Sequence, residues 1–256
     1  MIGLAKHQIV DNYNLSSLSM IISAAAPLSK DTEIAVTNRI GCEIKQGWGM
    51  SELSPIGTLV SDYNMKSGSI GQLIPSTLGK IVHPETNMSL GPGETGELLI
   101  KGPQVMMGYL NDPEKTAECL SSDGWLKTGD AAEYDEDRFF YITDRLKELI
   151  KVRGYQVAPA ELEALLLKHP NIDDAAVIPI EDEFSGELPR AYITLKNDEL
   201  SQKLTSEEVK EWVKDRVAPF KRLEGGVEFI DQVPKSASGK ILRRILKEKR
   251  KNEMEK

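Results

Sequence analysis

Cysteine is scarce: the 256 residues hold two, Cys42 and Cys119, far apart and outside any Cys-x-x-Cys pair. That excludes a disulfide scaffold or a cysteine zinc site and leaves reduced thiols as the expectation. Histidine is nearly as scarce, and His7, His83 and His169 show no metal-ligand spacing. Long apolar runs are missing, since no segment approaches the roughly 18 apolar residues of a membrane span. The opening Met-Ile-Gly-Leu-Ala-Lys-His has no basic region leading an apolar core, so no secretory signal is read there. The closing Met-Glu-Lys is not the peroxisomal Ser-Lys-Leu address, which leaves the cytoplasm as the expected compartment. Positive charge is also short. With 32 Lys and Arg against 40 Asp and Glu, the net charge is −8. A nucleic-acid-binding domain would carry a basic patch, so no nucleic-acid partner is expected.

Nucleotide loops of the common kinds fail as well. Gly91-Pro-Gly-Glu-Thr-Gly96 fits G-x-G-x-x-G literally. That pattern works only between a strand and a helix; here a strand follows, and Pro92 favours a tight turn. Ser238-Gly-Lys240 and Leu78-Gly-Lys80 have Pro234 and Ile74 where a Walker loop needs its first glycine. Isoleucine also stands where Ser or Thr would hold magnesium. The basic end, Arg243 to Lys251, includes Glu248 and reads as a solvated helix face.

What is present divides the chain into three stretches, with a 40 % hydrophobic content sufficient for one large core or two smaller ones. In 1–66, Ser19 to Ser23 reads as a short buried strand. A helix follows, with Ser29 as N-cap and Gly41 as stop, and Cys42 to Trp48 forms a second strand. Strand, helix, strand at this spacing predicts a parallel α/β unit, with ligands beyond the C-terminal strand ends. In 67–146, short alternating runs between Gly, Pro and Asp turns predict a small antiparallel barrel. In 147–256, strands and helices mix into a compact α+β domain. Its helical stripe Leu162, Leu165, Leu166 and His169 ends at Pro170. Thr205-Ser-Glu-Glu208 is a capping box there, Gly226 to Ile230 a strand, and Ile241 to Lys251 a basic helix.

Four separated elements could carry chemistry. Gln46-Gly-Trp-Gly-Met-Ser-Glu52 combines glycines that admit a base or phosphate, a hydroxyl donor, and a carboxylate for a hard cation. Lys127-Thr-Gly-Asp130 offers one carboxylate able to accept both hydroxyls of a ribose. Arg145, Lys147, Lys151 and Arg153 crowd around one apolar strand, followed by Gly154 and a helix opened by Pro159. Pro234-Lys-Ser-Ala-Ser-Gly-Lys240 is a loop with a lysine on a glycine hinge. Singly, each has a duller reading: Asp130 a turn aspartate, Glu52 a helix-start acid, the cations an edge-strand face, Lys240 a helix start.

Together, in this order and spacing, the four elements resemble acyl-adenylate-forming enzymes, most of all 4-coumarate–CoA ligases and luciferases. The resemblance covers the whole chain but only the C-terminal half of the family's length. It implies that 1–66 is the remnant of a large parallel-sheet adenylate-binding domain, 67–146 a small β subdomain, and 147–256 a mobile C-terminal domain. It implies ATP, Mg2+ and coenzyme A as cofactors, with an aromatic or fatty carboxylic acid as substrate. Gln46, Gly47, Trp48, Gly49, Met50 and Ser51 match the adenine- and phosphate-contacting loop, and Glu52 the magnesium ligand. Asp130 matches the ribose aspartate, Arg145 the arginine beside ribose and phosphate, and Lys147 the hinge. Arg153 and Gly154 match the coenzyme A pair. Ala24, Ala25 and Gln156 fall at acyl-substrate positions. Lys240 matches the lysine of adenylate formation, and Lys151 is grouped with it as catalytic. Departures are Ala24 in place of a glycine, and Trp48 and Ser51 where Tyr and Thr are usual. The Ser/Thr/Gly-rich phosphate loop and most of the acyl pocket are absent, so a missing N-terminal half is expected. Two alternatives stay open: an adenylation domain serving a carrier protein, and an inert nucleotide-binding or interaction module.

Overall fold

The computed structural model describes residues 1–24 and 26–254. In chain order the elements are α1 (Ile2–Lys6), β1 (Met20–Ser23), α2 (Lys30–Ile40), β2 (Glu43–Gly49), β3 (Ile56–Leu59), β4 (Gln72–Leu73), β5 (Leu78–Val82), β6 (Gly96–Lys101) and α3 (Pro113–Cys119). Then follow β7 (Leu126–Tyr134), β8 (Phe140–Arg145), β9 (Ile150–Val152), β10 (Tyr155–Val157), α4 (Pro159–Leu166), β11 (Ile172–Asp182), β12 (Gly186–Leu195), α5 (Ser206–Lys214), β13 (Val227–Phe229) and α6 (Arg243–Met254). The chain divides into two compact units between Thr143 and Asp144.

In the first unit, β1, β2, β3 and β4 form one sheet in that order. β1 and β2 run parallel, with Ser23 opposite Gln46, while β3 returns antiparallel. The expected α2 is there: Ser29 accepts from the Thr32 amide at 3.3 Å, and Gly41 closes the helix at φ 77°. The expected burial of β1 is not. Met20 and Ile22, which share one face of β1, are 41 % and 58 % exposed, and among the described residues β1 is an edge strand paired with β2. A second sheet, β5-β6-β7-β8, packs Ile81, Leu98, Ile100, Leu126 and Phe140 into a core that also takes Leu53. It is an open sheet, not the expected barrel: among the described residues no pairing brings β8 back to β5. The glycine-rich segment 91–96 is the predicted turn, with Gly93 at φ 77° and β6 starting at Gly96.

In the second unit, a sheet ordered β10-β9-β12-β11, with β13 beside β12, is covered on both faces. Strand period decides the faces. Ala175, Val177, Ala191 and Ile193 pack with Leu162, Leu166, Val209 and Val213 of α4 and α5. The alternate residues Ala176, Ile178 and Tyr192 pack with Leu246 of α6. The capping box at Thr205 and Glu208 forms as read. The strand β10 departs from the sequence reading. Where the sequence suggests a strand running into a helix, β9 turns back as β10, pairing Val152 with Tyr155. Arg153 at φ 50° and Gly154 at φ 85° are the two central residues of that turn. Two positive φ values in succession define the type I′ turn that suits the strand twist.

Candidate functional site

The candidate residues of the first unit gather around the end of β2 and the middle of β7. Gly49 is required by its own neighbours: a Cβ there would meet the Pro55 carbonyl oxygen at 1.9 Å. Trp48 lies over Gly57, where a Cβ would sit 2.6 Å from the indole ring. This packing aims the indole N–H at Asp130 Oδ2, at 2.8 Å. Asp130 is buried at 4 % exposure. A register shift against β6 places it there: Thr128 hydroxyl donates to the Leu98 carbonyl at 2.7 Å and accepts from the Asp130 amide at 3.1 Å. Gly129, at φ 70°, donates its amide to Glu97. Trp48 and Asp130, far apart in sequence, are thus one hydrogen-bonded pair.

Gln46 is committed inward. Its amide donates to Glu33 Oε2 at 2.6 Å, and the same oxygen accepts from the Gly68 amide at 3.1 Å. Glu33, on α2, had no sequence signal beyond a helical first-turn acid. Met50 and Ser51 follow at the strand end, and Ser51–Leu53 make a 3₁₀ turn. Glu52 in that turn accepts from the Tyr109 hydroxyl at 2.7 Å, and its carbonyl accepts from the Met106 amide at 2.8 Å. The carboxylate pushes the Tyr109 phenol well above its ordinary range. Tyr109 also lines an open groove of about 660 Å³ with Asp112, Pro113 and Thr116. No group of three or more His, Cys, Asp or Glu among the described residues is placed to hold a metal. A single carboxylate still fits magnesium, which keeps waters and binds through one or two carboxylates plus substrate phosphates. Ala24, just past β1, is exposed, and Ala25 lies outside the described residues.

In the second unit Asp144 is buried and caps α4, accepting from the Ala160 amide at 2.8 Å. Arg145 and Lys147 are exposed beyond it, and Lys147 lies inside this unit. Lys151 and Gln156 are cross-strand partners on β9 and β10, both exposed. Arg153 is pinned through Ser185: its amide donates to the Ser185 carbonyl at 2.8 Å and its Nε to the hydroxyl at 3.1 Å. Beside it lies a groove of about 400 Å³ lined by Arg153, Tyr155, Leu188, Phe220 and Arg222. Tyr155 and Phe220 stack there with centroids 4.3 Å apart. These aromatics escaped the sequence reading because they are brought together only by the β10 hairpin.

Lys240 is exposed on a separate small hairpin in which Lys235 bridges to Ile241. The Lys240 amide donates to Ser236 Oγ at 3.2 Å, its carbonyl accepts from the Ser236 amide at 2.9 Å, and Gly239 turns the chain at φ 84°. The expected loop is therefore a hydrogen-bonded turn. Glu163 was also missed. It is a buried carboxylate on α4 whose partner, Arg243, lies too far along the chain for any local pattern to reveal.

Comparison with known proteins bears on both units. The profile described as AMP-binding enzyme matches residues 1–110, and that described as AMP-binding enzyme C-terminal domain matches 161–240. A probable 4-coumarate–CoA ligase 1 of Dictyostelium discoideum is 47 % identical over 249 residues, covering 96 % of this chain and 45 % of the relative. 4-Coumarate–CoA ligase 2 of Nicotiana tabacum is 45 % identical over 255 residues, covering 97 % of this chain and 46 % of the relative. Among solved structures, the anthranilate CoA ligase AuaEII in complex with anthranoyl-AMP superposes with a TM-score of 0.86 at 27 % identity, over 99 % of this chain and 48 % of that one. ATP-bound MatB from Rhodopseudomonas palustris gives 0.83 at 28 % identity, over 90 % and 45 %. The chain thus spans about half the length of the relatives it matches.

Proposed function

We propose, because this chain belongs to the AMP-binding enzyme family, that it is the C-terminal portion of an ATP-dependent acid–CoA ligase of the 4-coumarate–CoA ligase kind. The substrate carboxylate oxygen attacks the α-phosphorus of ATP, the bond to pyrophosphate breaks, and acyl-AMP forms. The coenzyme A sulfur then attacks the acyl carbon, losing its proton, and AMP leaves with the carbon–oxygen bond electrons. Negative charge grows around phosphorus in the first step, so aimed cations lower its barrier.

The single observation that supports this best is sequence identity of 45–47 % to such ligases along 96–97 % of the chain. Within it, Asp130 accepts the ribose hydroxyls, held in place by Trp48. Gln46 to Ser51 border the adenine and phosphates, with Gln46 acting through the fold of β2, and Arg145 contacts ribose and phosphate. Glu52 would hold the Mg2+ that arrives with ATP, whose charge neutralises the phosphates. Lys240 presents its ammonium group in the first step. Arg153 and Gly154, with the aromatic pair beside them, serve coenzyme A. Lys151 assists, Lys147 is the hinge, and Ala24, Ala25 and Gln156 border the acyl group. A cytoplasmic setting accompanies this reading.

The test is carboxylate-dependent ATP–pyrophosphate exchange by the chain with an N-terminal half supplied. Lys240→Ala is expected to slow it by roughly 10²- to 10³-fold, the usual effect of removing one aimed charge-stabilising group. Silence of the wild type in this assay, with AMP still bound, would replace the ligase by an inert nucleotide-binding module.

A further inference from the structure

Arg243 opens α6 just beyond Lys240, and its guanidinium is spent entirely on the body of the second unit. NH2 meets both Glu163 oxygens, at 2.8 and 2.9 Å, and NH1 meets Glu148 at 2.7 Å. Nε donates to the Val177 carbonyl at 3.2 Å, while Glu163 Oε1 accepts the Val177 amide at 2.8 Å. Both backbone polar groups of one β11 residue, Val177, are therefore held between the ion-pair partners. The side chains of Arg243 and Glu163 are 14 % and 10 % exposed. The other leg of the hairpin is tied to the same strand, Lys235 Nζ meeting Asp174 Oδ2 at 2.5 Å. Leu242 donates its amide to the Pro234 carbonyl at 2.8 Å, joining the two legs at the root. The root is thus fixed twice on β11, and the tip, with Lys240, is exposed.

We propose that Arg243, gripped by Glu163 and Glu148, is a positioning residue that fixes the root of the Lys240 hairpin and so sets where the lysine charge is presented. This rests on the reading of Lys240 as the adenylation lysine. A planar guanidinium engaged through all three nitrogens holds direction as well as distance, which a lysine at 243 would not. Small displacements of an aimed group are costly to a reaction, so a firm root is consequential for rate. α6 contributes the peg, and β11 and α4 contribute the socket.

The test, run at pH 8 where Glu163 carries its charge, uses the 256-residue chain and its Glu163→Gln variant, which keeps side-chain size and removes that charge. Amide hydrogen exchange in the hairpin, where Ser236, Gly239, Lys240 and Leu242 are hydrogen-bonded, is expected to quicken roughly tenfold, with β9 and β10 unchanged. With an N-terminal half supplied, adenylation is expected to fall roughly tenfold while conversion of supplied acyl-AMP to acyl-CoA stays as in the wild type. A packing role alone would lower both steps together. Should Glu163→Gln fail to fold, Arg243→Lys carries the same expectations. Unchanged hairpin exchange, or adenylation unchanged despite a loosened hairpin, overturns the positioning role. Adenylation that survives Lys240→Ala overturns the lysine reading instead, a result the hairpin exchange does not affect.

Discussion

Trp48 donates its indole N–H to a carboxylate that is 4 % exposed, so the bond matters more than its single count suggests. Trp48→Phe keeps a ring over Gly57 and leaves Asp130 one donor short. A buried charged acceptor deprived of a donor costs about 1–3 kcal/mol, and urea unfolding of the variant should report that loss. Unchanged stability would mean that solvent reaches Asp130 freely. Glu163 gives a second prediction at this scale. Burial raises its carboxyl to about 7, with Asp144 and Glu148 adding to the rise and Arg243 opposing it. Below pH 4.5 both folded and unfolded chains hold the proton. From 4.5 to about 7 the unfolded chain releases it while the folded chain keeps it, so stability falls as pH rises through this window. Above it the contribution is level. Urea midpoints across pH 4–8 should therefore decline more steeply for the wild type than for Glu163→Gln; parallel curves would contradict the burial effect. Burial outweighing a short ion pair is ordinary, since taking two charges from water costs more than their attraction often returns.

Among the elements, the β9–β10 turn holds two opposed demands in adjacent residues. Arg153 adopts φ 50° although a β-carbon disfavours it, and Gly154 adopts φ 85° with no atom within 4 Å of a would-be Cβ. Arg153→Gly should relieve about 1 kcal/mol of backbone strain while removing the guanidinium. The variant is thus expected to unfold at higher urea yet use coenzyme A less well, with adenylation unaffected. A loss of stability would show that the bonds to Ser185 outweigh the strain. This turn also marks where the sequence stops being legible. Caps are local, and so Ser29, Gly41, Thr205 and Glu208 could be read directly. The β10 strand is three residues long, too short for a period to declare itself. The burial of β1 depends on what lies beside it, which its own apolar residues do not state. The barrel failed similarly: alternation signals antiparallel strands, not whether the first meets the last. Asp130 and Lys240 stand in motifs that the local sequence displays, whereas Glu33, Ser185 and Glu163 act through partners that only folding brings near.

At the scale of the whole molecule, two units with separate cores carry matches to the two parts of one family. Among the described residues no helix is long and apolar enough to cross a membrane. Relatives are about twice as long, so the activity proposed belongs to the longer protein, and the proposed ribose contact is assigned to Asp130 of this chain. That assignment can be tested without any turnover. The 256-residue chain and its Asp130→Ala variant would be titrated calorimetrically with AMP and with 2′,3′-dideoxy-AMP. The wild type should prefer AMP by roughly 10- to 100-fold, the worth of hydrogen bonds to a charged acceptor, and the variant should bind both alike. Equal affinities in the wild type, or a preference that survives loss of Asp130, would contradict the account.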